Sequence, residues 1–152
     1  MTAQGVLGAF AGHTFLAGLS ERHLMLLASG AKPVTFAAGD FLGREGDPAK
    51  AFFLIQSGHV SLGVHTPDRG VVQVQTVGPG EVVGWSWLVP PHRWRFDCQA
   101  VDAVQALSFN AEWLRELCDN DHELGYQFLK QLVGTIATRL AATRLQLLDV
   151  HR

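Results

Sequence analysis

The residues best suited to bind a small molecule lie within residues 78–100, GPGEVVGWSWLVPPHRWRFDCQA. This stretch contains three glycines, three of the four tryptophans of the chain and a pair of adjacent prolines. Glycine frees the backbone, proline restrains it, and tryptophan offers a large flat face, so together they suit the wall of a ligand pocket. A tight turn followed by aromatic side chains that fill a core has the same composition, and both interpretations stay open at this point.

Catalysis is an alternative use of the same stretch. Ser86, His92 and Asp97 have the side-chain types of a hydrolase triad. However, Ser86 does not lie in a Gly-x-Ser-x-Gly elbow, and two prolines separate it from His92. We therefore predict that the protein is not an enzyme.

A haem or iron–sulfur sensor is a second alternative, and it would need axial ligands or clustered cysteines. The chain has two cysteines, Cys98 and Cys118. Cys98 and any of His59, His65 and His92 could serve as ligands, but no ligand spacing connects them. We predict no metal site, and an absorbance spectrum of freshly purified protein tests this.

Composition and charge narrow the class of protein. With 152 residues, of which 47% are hydrophobic and 17% charged, the chain has the size and balance of one domain, residues 1–152. Its net charge of −2 indicates no basic surface for phosphates, so we expect no DNA binding by this chain. No apolar run reaches the ~20 residues of a membrane span, and the N-terminus lacks the basic start of a secretory signal. We therefore expect a cytoplasmic protein that does not enter a membrane.

The segments that hold residues 78–100 in place alternate between apolar and polar residues with a period of two. The alternation begins at Pro33 and resumes at residues 96–101 and 104–109. Turns rich in glycine, proline and aspartate separate these strands at residues 38–40, 46–48, 57–58, 67–70 and 78–80. A turn about every ten residues is typical of an antiparallel sandwich or roll.

Helical patterns flank the strands on both sides. Ser20 is a suitable N-cap for a short helix over residues 20–29. Asn110 is a suitable cap for a second short helix, which runs through Cys118. We therefore expect helices before and after the strands rather than between them.

A long helix is predicted at the C-terminal end, with Asn120 as its cap and Glu123 in the capping-box position. Residues 122–150 contain no proline, and such a helix would be roughly 40 Å long, which exceeds the width of a small domain. Six residues, five of them apolar, repeat along it at spacings of four and three: Leu129, Val133, Ile136, Leu140, Thr143 and Leu147. We name these six residues the seam. It predicts a homodimer through this helix, while the first two turns pack on the strands of their own chain.

The order of these elements resembles the cyclic-nucleotide-binding domain of catabolite-activator and FNR-type bacterial regulators, over about residues 14–150. Residues 37–64, AAGDFLGREGDPAKAFFLIQSGHVSLGV, follow the first two hairpins of that family, and GPGEVVG at 78–84 follows the turn into its phosphate-binding cassette. The resemblance implies a mainly β fold, an eight-stranded antiparallel β-roll or jelly roll. It places a short N-terminal helix and the roll in residues 14–109 and the C-terminal helices, including the dimerisation helix, in residues 110–150.

The cassette departs from the family at the position of its ribose-binding glutamate. In family members that bind a nucleotide, a glutamate that holds the ribose 2′-hydroxyl follows the glycine corresponding to Gly84, and here Trp85 stands in its place. About ten residues later, an arginine of the family pairs with the cyclic phosphate. The resemblance implies Arg95 as this phosphate partner, with Arg93 as the second choice, and the register stays open.

The resemblance implies eight ligand-binding residues: Gly84, Trp85, Ser86, Trp87, Trp94, Arg95, Phe96 and Asp97. Without the glutamate the ribose hydroxyls lose an acceptor, Trp85 would fill the volume of the sugar, and the charge of Asp97 would repel a phosphate. We therefore expect a regulatory pocket that binds another, flatter or more apolar small molecule or is closed. The alternative is a pocket for cyclic AMP or cyclic GMP as cofactor, in a module that acts on a partner protein.

Two local contacts are expected if the cassette is extended, because residues i and i+2 of a strand face the same side. Trp85 and Trp87 would then both face the pocket, with at least one in the volume used for sugar and phosphate. Arg95 and Asp97 would form an internal ion pair that neutralises both charges.

Output from the domain is expected to pass through the long helix. Transcription regulators of this resemblance continue with a helix-turn-helix domain, and the sequence leaves no room for one after residue 150. We therefore expect no DNA-binding domain and, beyond the second copy of the chain, a possible partner protein.

Overall fold

The computed structural model describes residues 2–11 and 13–150, apart from the side chains of residues 3, 146, 147, 149 and 150. The chain begins with helix α1 (Ala3–Phe10), a single 3-10 turn (Thr14–Leu16) and helix α2 (Glu21–Gly30). Eight strands and two further helices follow. None of the described helices is both long and apolar enough to cross a membrane.

The eight strands form two antiparallel sheets of four. They are β1 (Ala31–Phe36), β2 (Phe41–Gly43), β3 (Ala51–Ser57), β4 (Val60–Thr66), β5 (Gly70–Val77), β6 (Val82–Val83), β7 (Asp97–Ala100) and β8 (Val104–Asn110). The strand orders are β1-β8-β3-β6 in one sheet and β2-β7-β4-β5 in the other. The predicted eight-stranded antiparallel roll is therefore confirmed, with its strands close to the predicted positions.

Strand β3 separates two apolar cores. Phe53 and Ile55 point into the roll between the two sheets. Phe52 and Leu54 point to the opposite face, where they pack with buried side chains of the helices. We name this cluster the helix core. Because successive side chains of a strand point to opposite faces, burial on both sides requires the continuous apolar run that β3 has.

Both N-terminal helices contribute buried side chains to the helix core. Ser20 caps α2 as predicted, since its hydroxyl accepts a hydrogen bond from the amide of His23. Helix α1 was not predicted, because glycines at positions 5 and 8 give its sequence a poor helix propensity. Val6 and Phe10 are buried in the helix core, and this packing stabilises α1 despite its propensity.

The C-terminal helices are α3 (Ala111–Asn120) and α4 (His122–Val150). Asn110 caps α3 as predicted. The prediction that Asn120 caps the long helix is wrong by one residue, because Asn120 is the last residue of α3. Asp121 caps α4, since its Oδ1 accepts a hydrogen bond from the amide of Leu124 at 3.1 Å. Its Oδ2 lies 2.8 Å from Nη1 of Arg22, which ties α2 to the start of α4.

The long helix packs on the roll first and then extends along it. Leu124, Phe128 and Leu132 are buried against the helix core, as expected for the first turns. Further along, Nε2 of Gln75 in β5 donates to the carbonyl of Arg139 at 3.0 Å. The middle of α4 is therefore held against the second sheet.

The cap of α4 leads to a first prediction. Asp121→Ala should lower the melting temperature at pH 7 by about 2–4 °C, because it removes the N-cap acceptor. Asn120→Ala is the matched control and should melt close to the parent, because Asn120 makes no capping bond in the described structure. Equal losses of melting temperature in the two variants would contradict the assignment of Asp121 as the cap.

The same cap should depend on pH. The amide of Leu124 first, and then the Arg22 guanidinium, hold the pKa of Asp121 below its ordinary value of 3.8. Stability from a lowered folded pKa is present above the unfolded pKa and is lost as the pH falls through the folded one. The difference in melting temperature between the parent and Asp121→Ala should therefore shrink as the pH falls below 3.8.

Candidate ligand-binding site

The cassette begins at Gly84, directly after β6, with a backbone φ of +94°. A Cβ atom at Gly84 would lie 2.9 Å from Cη2 of Trp94, and one at Gly43 would lie 2.2 Å from Cε2 of the same indole. Trp94 therefore fits between two glycines, where it stacks on Phe53 inside the roll. Of the predicted site residues, Trp94 is thus mainly a core residue that forms the floor of the cassette.

Trp85 and Trp87 have different surroundings, so the prediction that both face the pocket is wrong. Residues 86–88 form a turn rather than extended chain, and the amide of Leu88 donates to the carbonyl of Trp85. Trp87 is fully buried in the helix core against Phe52 and Phe128. Of the two, Trp85 lines the two spaces described next, and Trp87 lines neither.

A cavity of about 380 Å³ lies between the second sheet, the cassette and α4. Its lining is mostly apolar and consists of Leu62, Val64, Val74, Gln75, Trp85, Phe96, Ile136, Arg139, Leu140 and Thr143. The volume falls in the lower part of the range typical of small-molecule sites. We name it the helix cavity.

A second, much smaller void of about 10 Å³ adjoins it at the cassette. Its lining residues are Leu62, Gly84, Trp85, Ser86, Trp94, Arg95, Phe96, Cys98 and Arg139. This volume is about that of a single water molecule. We name it the cassette void, and it brings together six of the eight predicted site residues.

Arg139 of α4 reaches both spaces, and the sequence analysis did not identify it. Its Nη2 donates a hydrogen bond to the carbonyl of Val82 in β6. Burial lowers the pKa of the guanidinium from its ordinary value. A signal was present in the sequence, because Arg139 follows Phe128, Leu132 and Thr135 at the spacing of the helix face that packs on the roll.

The predicted pair of Arg95 and Asp97 does not form. Arg95 is exposed, and its Cζ lies 5.2 Å from the centre of the Trp85 ring. The buried Asp97 accepts a hydrogen bond from the amide of Glu45 at 2.8 Å, and its Oδ2 lies 2.9 Å from Nε2 of His65. The strand starts only at Asp97, after bends at residues 95 and 96, so the two side chains do not share a strand face.

The structure also places the other residues that the sequence analysis considered for binding, catalysis or metal ligation. Asp97 and Trp87 line neither the helix cavity nor the cassette void. The carboxylate of Asp97 engages His65 rather than His92, so the triad geometry is not formed. Burial raises the pKa of Cys98 to about 12 and that of Cys118 to about 11, which keeps both as thiols. The described residues include no group of three that could hold a metal ion.

The chain is similar in sequence to a known family and to several known proteins. Residues 33–121 match the family described as "Cyclic nucleotide-binding domain". The "CRP-like cAMP-activated global transcriptional regulator" of Mycobacterium tuberculosis is 26% identical over 133 residues, which cover 88% of this chain and 58% of that protein. "Cyclic nucleotide-gated ion channel 2" of Arabidopsis thaliana is 28% identical over 114 residues, which cover 68% of this chain and 15% of the channel. The chain thus spans little more than half of the first relative.

Solved structures share the fold. A cyclic nucleotide-binding domain from Methylobacillus flagellatus superposes with a TM-score of 0.81 at 20% identity, covering 97% of this chain and 83% of that one. The catabolite activator protein of Thermus thermophilus gives 0.71 at 22% identity, covering 90% of this chain and 62% of that one. At these identities the likeness concerns the fold alone.

The observed partners of Asp97 lead to a second prediction. Asp97→Ala should lower the free energy of unfolding by about 1–3 kcal/mol, because the amide of Glu45 and the His65 ring lose their acceptor. Arg95→Ala should change it by less than about 0.5 kcal/mol, since the side chain is exposed. Denaturant melts of the two variants and the double variant measure these values.

The double variant distinguishes the two arrangements. If the two residues do not interact, we expect their losses of unfolding free energy to add within about 0.5 kcal/mol. A double variant that recovers part of the Asp97→Ala loss would instead show that the two residues form a pair.

Proposed function

Because this chain belongs to the cyclic nucleotide-binding domain family, we propose that it is a non-enzymatic sensory module that reports the state of its helix cavity through α4. One observation carries the proposal: α4 forms a wall of the cavity and also bears an exposed apolar surface. A helix in both positions can couple ligand binding to association with another chain. The module acts as a dimer in this proposal.

The helix cavity and the seam share residues of α4. Ile136, Leu140 and Thr143 line it, and all three are also seam residues. A molecule that enters or leaves the cavity contacts these side chains, so it changes the free energy of the position that α4 adopts. A ligand shifts such an equilibrium only by its difference in affinity for the two states, and direct contact with α4 supplies that difference.

The dimer proposal rests on the exposure of the seam. Leu129, Val133 and Leu140 are 41%, 60% and 61% exposed, respectively. Ile136 and Thr143 are half-buried, and the side chain of Leu147 lies outside the described residues. Large apolar side chains repeating at spacings of four and three on an exposed helix face favour pairing with a second such helix.

The cassette void supports a ligand other than an ordinary cyclic mononucleotide. In this proposal, Trp85 and Arg139 fill the space that the family uses for the sugar and the phosphate. The remaining void of about 10 Å³ holds one water-sized group, whereas a cyclic nucleotide would need a ribose and a phosphate there. Accommodating the nucleotide would require Arg139 and α4 to move.

Binding of cyclic AMP or cyclic GMP in a module that regulates a partner protein is the second candidate. Arg95 lines the cassette void, where the family places its phosphate partner, and this favours the candidate. The name of the mycobacterial relative, a cAMP-activated regulator, points the same way. In this case Arg139 would leave the void when the nucleotide binds.

The seam leads to a third prediction. Val133→Asp should convert the dimer to a single chain of 16.6 kDa by light scattering, because it places a charge in the apolar contact. Val133 is the best position, since it belongs to the seam but does not line the helix cavity. Leu140→Asp should give the same result.

Ala141→Asp is the matched control, because Ala141 is exposed on the same helix but lies outside the seam. It should keep the mass of the dimer. A parent that is already monomeric, or a Val133→Asp variant with unchanged mass, would reject the seam as the dimer contact.

The void leads to a fourth prediction. Titration with cyclic AMP or cyclic GMP should produce no saturable change in tryptophan fluorescence at micromolar concentrations, because Trp85 occupies the cassette. Trp85→Phe serves as a control that assigns any observed change to this residue. Saturable quenching that is absent from Arg95→Ala would establish the second candidate instead.

A further inference from the structure

We infer that the helix cavity and the cassette void form one elongated site for a small organic carboxylate with a flat apolar body. This inference rests on the proposed sensory function and names its ligand class. The two spaces share four lining residues, Leu62, Trp85, Phe96 and Arg139. One molecule can therefore occupy both, with its charged end in the void and its body in the cavity.

The size and charge of the cassette void suit the carboxylate group of such a ligand. Arg95 and Arg139 both line it, so two cations from distant parts of the chain meet at one small space. At about 10 Å³, the void accepts a group the size of one carboxylate oxygen. Hydrogen bonds between guanidinium and carboxylate are charge-assisted and stronger than neutral ones.

The surroundings of Arg139 favour an anion over a neutral group. Within the described parts of the chain, no carboxylate lies within ion-pair distance of its guanidinium. Glu81 acts on it electrostatically, but this carboxylate is exposed and accepts a hydrogen bond from the amide of Gly78 at 2.6 Å. A half-buried cation without an adjacent counterion is costly, and a bound carboxylate offsets that cost.

The lining of the helix cavity suits a flat, apolar group as the remainder of the ligand. Trp85 and Phe96 provide flat faces, and aliphatic side chains of β4, β5 and α4 complete the lining. Few polar groups line the cavity, and the amide of Gln75 and the hydroxyl of Thr143 both already donate to the carbonyl of Arg139. A sugar would leave most of its hydroxyls without partners here, whereas an aromatic ring loses nothing.

The parent protein provides the first test, with 3-phenylpropanoate and its neutral amide, 3-phenylpropanamide, as the two probes. At pH 7.5 the acid is ionised, because an ordinary carboxyl group has a pKa of about 4. The two probes share their apolar body and differ in charge. We expect the acid to bind saturably in calorimetry and to raise the melting temperature, with the amide at least about tenfold weaker.

Three variants assign the charge to Arg139. Arg139→Gln should weaken binding of 3-phenylpropanoate by about tenfold or more, while Arg139→Lys, which keeps the charge, should retain part of the affinity. Arg115→Gln is the matched control, because Arg115 is also half-buried and donates to a backbone carbonyl, that of Trp87, away from both spaces. It should bind 3-phenylpropanoate as the parent does.

Several outcomes would overturn the inference. Equal affinity for the acid and the amide would show that charge is not recognised. Absence of binding of 3-phenylpropanoate at millimolar concentration would exclude this ligand class. Full affinity for the acid in Arg139→Gln would show that Arg139 does not recognise its charge. Light scattering separates these results from the proposed function, because a parent that remains dimeric without binding the acid contradicts only the ligand class, whereas a monomeric parent contradicts the sensory dimer.

Discussion

Burial of β3 on both faces is the constraint on which the remainder of the structure depends. Phe53 and Ile55 can be covered by the second sheet, but Phe52 and Leu54 need a second layer of apolar side chains. The helices provide that layer, and the first turns of α4 are anchored in it through Leu124, Phe128 and Leu132. A helix anchored there and continued for its full length must pass along the second sheet, which brings Arg139 to the cassette.

The sequence was informative where structure is local. Alternation and turn residues predicted an antiparallel sandwich or roll, and Ser20 and Asn110 were identified as caps, because period and capping depend on neighbouring residues. The number of eight strands came from the family resemblance. Helix α1 escaped prediction because tertiary packing rather than propensity stabilises it. The cap of α4 was misplaced by one residue, since Asn120 and Asp121 are both good capping residues and only the backbone geometry distinguishes them.

The candidate site was harder to predict from the sequence than the fold. The positions of Trp87 and Asp97 were wrong because both predictions assumed an extended cassette, whereas residues 86–88 form a turn and residues 95–96 form bends. Arg139 is separated from Arg95 by more than forty residues, and no local pattern connects the two. The substitution of Trp85 for the glutamate of the family and the approach of Arg139 belong together, because both line the same small space.

The position of Trp94 between Gly43 and Gly84 has a consequence for how this domain can change during evolution. While the indole is present, a side chain at either glycine would overlap it, so the order of substitutions matters. Replacement of Trp94 by a smaller residue must come first, and it would make room for a side chain at Gly43, whereas the backbone φ of +94° would still favour glycine at position 84. One side chain in the loop of the cassette thus controls which mutations are tolerated at β2, an edge strand of the second sheet.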